Sequence, residues 1–319
     1  MNKSGTYPKL FVVGCPRSGT SWVTALLASH PHVLMVPGET HIYRLIYEPF
    51  IKLPTWNWQR RCRSWKGILR RYGPQPLLWG FQAADIWSGI LRDYQILNHP
   101  DSHGLHTLIS YADLKTLIKT LQTQPGNGAE KAEQLIATLF DRFFEQQGSS
   151  HQTLLEKTPM HIRYVDRILR RFPAARVIEV IRDGRDVCVS YNALAEKQAW
   201  ARIGTAGAIR QWKRCINWGE QFRAQPELAT RIHVVRYEDL KANPIVSLQQ
   251  VFEFAQLPHS VSQIEEIVAA SDIQKSCDKG EGQYIRKGVV GDWKHQLSDA
   301  ERLLCRQIAA VQLQRLGYL

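Results

Sequence analysis

The chain has 319 residues, 44% of them hydrophobic and 22% charged, with a formal net charge of +12. That length buries a sizeable core and excludes a disordered or low-complexity protein, and no apolar run approaches the ~20 residues that span a bilayer as a helix. The positive excess calls for an anionic partner (a nucleotide, a phosphorylated or sulfated molecule, a membrane surface or nucleic acid), and charge alone does not choose among them.

The first predicted strand is reached by Leu10, which leaves no room for a secretory signal. Cysteines 15, 62, 188, 215, 277 and 305 are scattered, without a C-x-x-C pair. They read as reduced, mostly buried thiols of a cytoplasmic protein and argue against zinc.

After Lys9, the apolar run Leu10-Phe11-Val12-Val13 predicts a strand that ends at Gly14. The chain then turns through Cys15-Pro16-Arg17-Ser18-Gly19, and a helical pattern starts at Thr20-Ser21-Trp22. Gly14-x4-Gly19 is the spacing of a phosphate-cradling P-loop, but Thr20-Ser21 stands where a nucleotide hydrolase has lysine followed by serine or threonine. Arg17, inside the loop, is the cation instead. Small residues at 18–21 let an anion approach the main-chain N–H groups and the positive end of the helix. The arginine adds a planar fork of donors. A plain turn between strand and helix that binds nothing is the competing reading.

Trp22, Ala25, Leu26 and Ala28 carry the first helix toward His30-Pro31. The segment Met35–His41 leads out of the sheet edge. Glu39 follows Arg17 by about one strand–helix unit, so it reads equally as a catalytic carboxylate and as a solvated loop residue or cap. Residues 42 to about 104 are the least regular, with prolines 49, 54, 74 and 76, tryptophans 56, 58, 65, 79 and 87, and a basic run from Arg60 to Arg71. Interleaved aromatics and cations contact bases, sugars or an anionic lipid surface. A helical insertion with core tryptophans and solvated arginines weighs more, and acceptor specificity is expected in this region. Asp113 to Gln146 predicts two helices broken at Gln124-Pro125-Gly126-Asn127-Gly128.

Thr153-Leu154-Leu155 is a short buried strand closed by Glu156-Lys157-Thr158-Pro159, and a helix follows with Ile162, Val165, Leu169 and Phe172 on its apolar face. Ala175–Ile181 is the strongest predicted strand. Arg182 stands at its C-terminal tip, and Ser190 lies about one turn into the next helix, both toward the end of the sheet where α/β ligands bind. Ile232–Arg236 predicts a further strand, followed by Tyr237-Glu238-Asp239-Leu240, and Asn243-Pro244 opens a helix. Gly280–Gly291 is a glycine-rich loop containing Arg286-Lys287-Gly288. Ser298-Asp299-Ala300-Glu301 is a capping box that starts the last helix.

Strands alternating with helices predict an α/β fold: one P-loop-type parallel sheet, helices on both faces, and an irregular helical insertion at about 42–150. No repeat or linker divides the chain, so residues 1–319 read as one domain.

Three of these segments together resemble the family of sulfotransferases that use PAPS, 3′-phosphoadenosine 5′-phosphosulfate. Cys15–Trp22 resembles the family's 5′-phosphosulfate loop. The resemblance gives Arg17, Ser18, Gly19, Thr20 and Ser21 to that anion and Trp22 to the adenine. Val180-Ile181-Arg182 through Ser190-Tyr191 is similar to the 3′-phosphate motif, in which an arginine and a serine eight residues later grip the phosphate. Arg286-Lys287-Gly288-Val289-Val290-Gly291-Asp292-Trp293-Lys294 is similar to the family's C-terminal loop, which closes over the same phosphate. Tyr237 is a weaker echo of a tyrosine near the adenine.

The resemblance implies in-line sulfuryl transfer from PAPS to an acceptor hydroxyl or amine, with no metal. Arg17 and Lys157 would then stabilise charge on the departing phosphate. A branch of the family that uses a Lys-Thr-His segment takes its base from that histidine, but here the segment is Lys157-Thr158-Pro159. Gly38-Glu39-Thr40 looks like the glutamate arrangement of other branches. Glu39 is therefore the first candidate for the base, with Glu156 and His161 as alternatives. The acceptor (sugar, phenol, amine, peptide or lipid headgroup) and the oligomeric state stay open, no nucleic acid is expected, and a peripheral membrane contact is allowed. The rival readings are a P-loop nucleotide kinase or NTPase relative, which would want a lysine after Gly19, and a non-catalytic basic binding protein using the Arg60–Arg71 region.

Overall fold

A computed structural model describes residues 7–47, 86–97, 104–147, 151–270 and 288–319. These fall into two compact units, one of Val36–Gly148 and one of Thr6–Met35 with Ser149–Leu319. Residues 48–85, with most of the tryptophan- and arginine-rich segment, lie outside the described residues.

The second unit is built on five strands: β1 (Lys9–Gly14), β2 (Val33–Met35), β3 (Thr153–Lys157), β4 (Arg176–Ile181) and β5 (Ile232–Arg236). All pairs are parallel, in the order β2-β3-β1-β4-β5. Every residue of β1 is buried, which is why it reads as a continuous apolar run: helices cover both faces of such a sheet.

On one face, Leu10, Val12, Ile178, Val180 and Val235 pack with Val23, Leu26 and Leu27 of α1 (Thr20–Ala28) and with Leu248, Val251 and Phe252 of a helix at Pro244–Ala255. The other face carries Glu179, whose carboxylate pairs with Arg223 and lies against Gly219. Both partners belong to the helix Gly204–Arg223.

The helical unit contains α2 (Ile42–Tyr47), α3 (Ile86–Leu97), α4 (Tyr111–Thr123) and α5 (Gly128–Gln146). Each packs on the next in sequence. Trp87 is buried there, with Ile90, Leu117, Leu121, Ile136 and Phe140.

The helices of the sheet unit continue as α6 (Val165–Arg171), α7 (Gly184–Ala195), α8 (Gly204–Arg223), α9 (Pro226–Ala229), α10 (Tyr237–Ala242), α11 (Pro244–Ala255), α12 (Val261–Ala270), α13 (Trp293–Gln296) and α14 (Asp299–Arg315). The capping box expected at Ser298 is formed with Glu301. Among the described residues no helix is long and apolar enough to cross a membrane.

Two elements differ from expectation. The edge strand β2 ends at Met35, where the sequence reading began its loop, and the run around Ile162 winds as a 3-10 helix, Pro159–Tyr164, before α6 begins.

Parallel register has one consequence for function. Val12 pairs with Lys157, Gly14 with Val180, and Ile181 with Arg236. The C-terminal tips of four strands therefore share one edge, and the loops after them start side by side. The connection after β1 runs toward β2 and that after β4 toward β5, so the direction reverses between these two neighbours, where such sheets open a crevice.

Candidate functional site

The loop after β1 is shaped by three residues with positive φ: Gly14 (+148°), Arg17 (+76°) and Gly19 (+97°). A side chain at 14 would place its Cβ 2.5 Å from the Val180 carbonyl oxygen, and one at 19 would place it 2.4 Å from the Tyr237 ring. Both glycines thus let neighbouring strand tips close on the loop. Arg17 holds a left-handed conformation that costs a non-glycine residue about 1 kcal/mol or more, and such strain persists where surrounding contacts impose it. The Ser18 N–H donates to Cys15 O at 3.1 Å, and Trp22 N–H and Val23 N–H donate to Gly19 O to begin α1. The Ser18 hydroxyl is buried inside this turn with no hydrogen-bond partner among the described residues.

One cleft of about 720 Å³, counting its open mouth, is lined by Arg17, Gly19, Thr20, Ser21, Trp22, Arg182, Asp186, Ser190, Tyr237 and Gly288.

The expected segments meet there directly. Arg17 Nε donates to Ser190 Oγ at 3.0 Å across 173 residues of sequence. Arg182 is held by three groups: its Nη2 donates to Val289 O at 2.7 Å, lies 3.7 Å from Asp186 Oδ2, and its guanidinium stands 4.3 Å over the Tyr237 ring. Its Nε is buried with no hydrogen-bond partner among the described residues. Trp212 of α8 donates to Arg182 O at 2.9 Å and so fixes the strand tip. Trp22 meets Tyr237 edge-on at 5.6 Å, and the Tyr237 hydroxyl donates to Gly288 O at 2.9 Å. The aromatic pair forms a wall beside the cationic floor.

Asp183 caps α7 and grips Arg185 through two nitrogens. Asp186, one turn on, accepts from Gly291 N–H and Trp293 N–H. Burial pushes the Asp186 carboxyl above the usual carboxylate range, while Arg182 and the two N–H groups pull it back.

Three other expected residues of the sheet unit, Lys157, Glu156 and His161, are not among those lining this cleft. Lys157 closes β3 beside Val12 and is half-buried. Glu156 and His161 are buried and bonded to each other, Glu156 Oε2 to His161 Nδ1 at 3.1 Å, while Thr158 Oγ1 donates to Glu156 Oε1 at 2.6 Å. That network clasps the turn after β3. Glu39 belongs to the helical unit, where its carboxylate lies 3.6 Å from His41 Nε2 and both side chains are partly exposed. Arg286 and Lys287 lie outside the described residues.

The profile described as the sulfotransferase family matches residues 8–84 and 96–261. The chain belongs to the sulfotransferase family. A curated relative, Sulfotransferase 6B1 of Danio rerio, is 28% identical over 145 residues, covering 40% of this chain and 48% of that protein. The matched stretch thus spans about half the length of that relative. Among solved structures, the sulfotransferase domain of the Synechococcus PCC 7002 olefin synthase aligns over 100% of this chain and 98% of its own, with 18% identity and a TM-score of 0.50. Sulfotransferase STF9 of Mycobacterium avium aligns over 96% and 76%, with 15% identity and a TM-score of 0.49.

The cleft is also lined by Asp186 and Val189, to which motif reading gave no role, and by Val289 and Asp292 of the C-terminal loop motif. A sequence signal for Asp186 existed, since it lies four residues after Arg182 in Arg182-Asp183-Gly184-Arg185-Asp186, near enough in the chain for the two charges to meet where α7 begins.

Proposed function

We propose that this sulfotransferase transfers the sulfuryl group of PAPS to an acceptor hydroxyl or amine. The observation that carries the reading is the Arg17–Ser190 contact in a cleft that also holds Arg182. A loop shaped for one anion and a helix segment suited to another are joined there, with an aromatic wall beside both. The kinase reading leaves the second anion site without a use, and the basic-binding reading leaves the strained loop without one.

The residues fit the donor. Ser18 Oγ and Arg182 Nε are buried groups with no partner among the described residues, and a buried polar group left unpaired costs about 1–3 kcal/mol. Oxygens of a phosphosulfate and of a 3′-phosphate would satisfy them. Arg17 and the N–H groups of the loop take the 5′-phosphosulfate, Arg182 and Ser190 the 3′-phosphate, and Trp22 and Tyr237 the adenine. Arg286, Lys287 and Gly288 complete the 3′-phosphate set by their place in the family-like loop.

Bound PAPS supplies an activated sulfur. The acceptor oxygen or nitrogen forms a bond to sulfur as the bond from sulfur to the 5′-phosphate oxygen breaks, and the acceptor proton leaves to a base. Arg17 and Lys157 stabilise the charge that develops on the phosphate. Glu39 takes the proton. Its Gly38-Glu39-Thr40 setting and partial exposure suit a group that must meet an acceptor, whereas Glu156 and His161 are buried and bonded to each other. Cys15, Cys188, Cys215 and Cys305 are free and buried, which fits a reducing compartment such as the cytoplasm.

A thermal-shift comparison of adenosine 3′,5′-bisphosphate (PAP), 5′-AMP and Mg-ATP tests the donor. A ligand at 100 times its dissociation constant adds about 2.7 kcal/mol, and only the bisphosphate is expected to give that shift. An equal shift with Mg-ATP would return the protein to the nucleotide kinases.

A further inference from the structure

An anion site does not call for carboxylates in its wall, yet this cleft is lined by two, Asp186 and Asp292. Asp186 is 1% exposed and lies 3.7 Å from Arg182 Nη2. Standing alone there it would repel a phosphate much as Arg182 attracts it. Its other partners account for its presence. Asp186 Oδ2 accepts the Gly291 N–H at 2.8 Å, and Oδ1 accepts the Trp293 N–H at 3.0 Å. Each oxygen takes one donor, from a segment 105 and 107 residues away.

The same segment is tied to the strand tips at further points. Val289 O accepts from Arg182, Gly288 O accepts from Tyr237, and the Arg185 guanidinium lies 3.6 Å over the Trp293 ring. Of these residues, Asp186 holds both parties: Arg182 on one side and two main-chain N–H groups of the loop on the other.

We propose that Asp186 is a positioning residue, which pins residues 288–293 to α7 and orients Arg182, and so sets the preference of the cleft for a nucleotide with a second phosphate. This rests on the PAPS reading above.

The residue type follows from the donor count. A carboxylate accepts at both oxygens and offers no hydrogen of its own. Asparagine at 186 would turn an NH2 group toward one of the two N–H groups and would leave Arg182 without its counter-charge. Gly291 holds φ +78°, and a Cβ added there meets nothing within 4 Å. Gly291→Ala therefore strains the pinned segment without crowding the core.

The test measures PAP and 5′-AMP affinities by calorimetry, and amide exchange of Gly291 and Trp293 without ligand, in wild type, Asp186→Asn, Asp186→Glu and Gly291→Ala. Asp186→Asn is expected to weaken PAP about tenfold or more, the loss typical of a charged hydrogen bond, while 5′-AMP changes by less than about twofold. Exchange at both amides rises, the KM for PAPS rises by a larger factor than kcat falls, and Asp186→Glu recovers part of the PAP affinity. Gly291→Ala shifts PAP the same way by a smaller factor, and it carries the test should Asp186→Asn not fold. Equal losses for both nucleotides, or unchanged PAP affinity in a folded variant, overturn the proposal. A wild type that binds PAP no better than 5′-AMP overturns the PAPS reading and this inference with it.

Discussion

The sheet unit and the helical unit are assembled by different rules. In the helical unit each helix packs on its sequence neighbour, and two helix starts close locally: Ser110 caps α4, and Asn127 and Glu130 exchange hydrogen bonds at the start of α5. In the sheet unit the decisive contacts are long-range, Arg17 with Ser190 and Asp186 with Gly291 and Trp293, and buried donors at Ser18 and Arg182 lack partners among the described residues. Local rules complete a stable structure. Strand register instead brings distant charged groups to one edge and leaves hydrogen-bonding capacity there for a ligand.

The largest expected effect divides the units by function. Glu39→Gln in the helical unit should cut turnover by about 100- to 10,000-fold, the range for a positioned base, with PAP affinity by calorimetry close to wild type. Normal turnover in that variant would remove Glu39 from the mechanism. Next, Leu117→Ala opens a cavity in the helical core, where Leu117 is 6% exposed. It should cost about 2–5 kcal/mol in denaturant unfolding while the folded protein still binds PAP normally. Loss of PAP affinity in step with stability would show that the two units do not behave separately.

A smaller effect belongs to the sheet unit alone. Ser190→Ala removes the acceptor of Arg17 Nε and one proposed ligand of the 3′-phosphate, and should weaken PAP about tenfold. Titration with PAP and 5′-AMP checks it, because an equal loss for both would move Ser190 out of the second anion site.

The smallest concerns pH. His30 is buried, its Nε2–H donates to Pro258 O at 2.8 Å, and its Nδ1 accepts the His32 N–H at 3.1 Å. The second bond needs the neutral ring, because a protonated Nδ1 cannot accept. Burial lowers the His30 pKa, and the neighbouring His32 and His259 lower it further against the raising influence of the Pro258 carbonyl. The folded state thus binds the proton less well than the unfolded chain. The contribution of His30 is fully present above the unfolded value of about 6.5 and is lost as pH falls through the lower folded value. Unfolding free energies measured from about pH 7.5 to 5 should fall less steeply in His30→Gln than in wild type. An unchanged slope would mean that His30 does not titrate in this range.

Much of the sheet unit was legible because its strands are short apolar runs ended by glycine, proline or charge. β1, β3, β4 and β5 are recognisable from Leu10-Phe11-Val12-Val13, Thr153-Leu154-Leu155, Val177–Ile181 and Ile232–Arg236. The break between α4 and α5 fell where Pro125-Gly126 put it. Helix α8 was not assigned, although Ala208, Ile209, Trp212, Cys215, Ile216, Gly219 and Phe222 keep a helical period and are buried. Arginines and glutamines between them mask the pattern. The edge strand β2 is only Val33–Met35, too short for any period to show.

Residue order by itself determined the local pieces: the strand–loop–helix around Arg17, the serine eight residues after Arg182, the capping box at Ser298. These depend on backbone preferences and spacing within a few residues, which any stretch of chain carries with it. Tertiary structure alone decided that β1 lies between β3 and β4, that Arg17 touches Ser190, and that a carboxylate in the cleft wall holds the loop opposite. Those are pairings between residues more than a hundred positions apart, and packing selects them only once the sheet has closed.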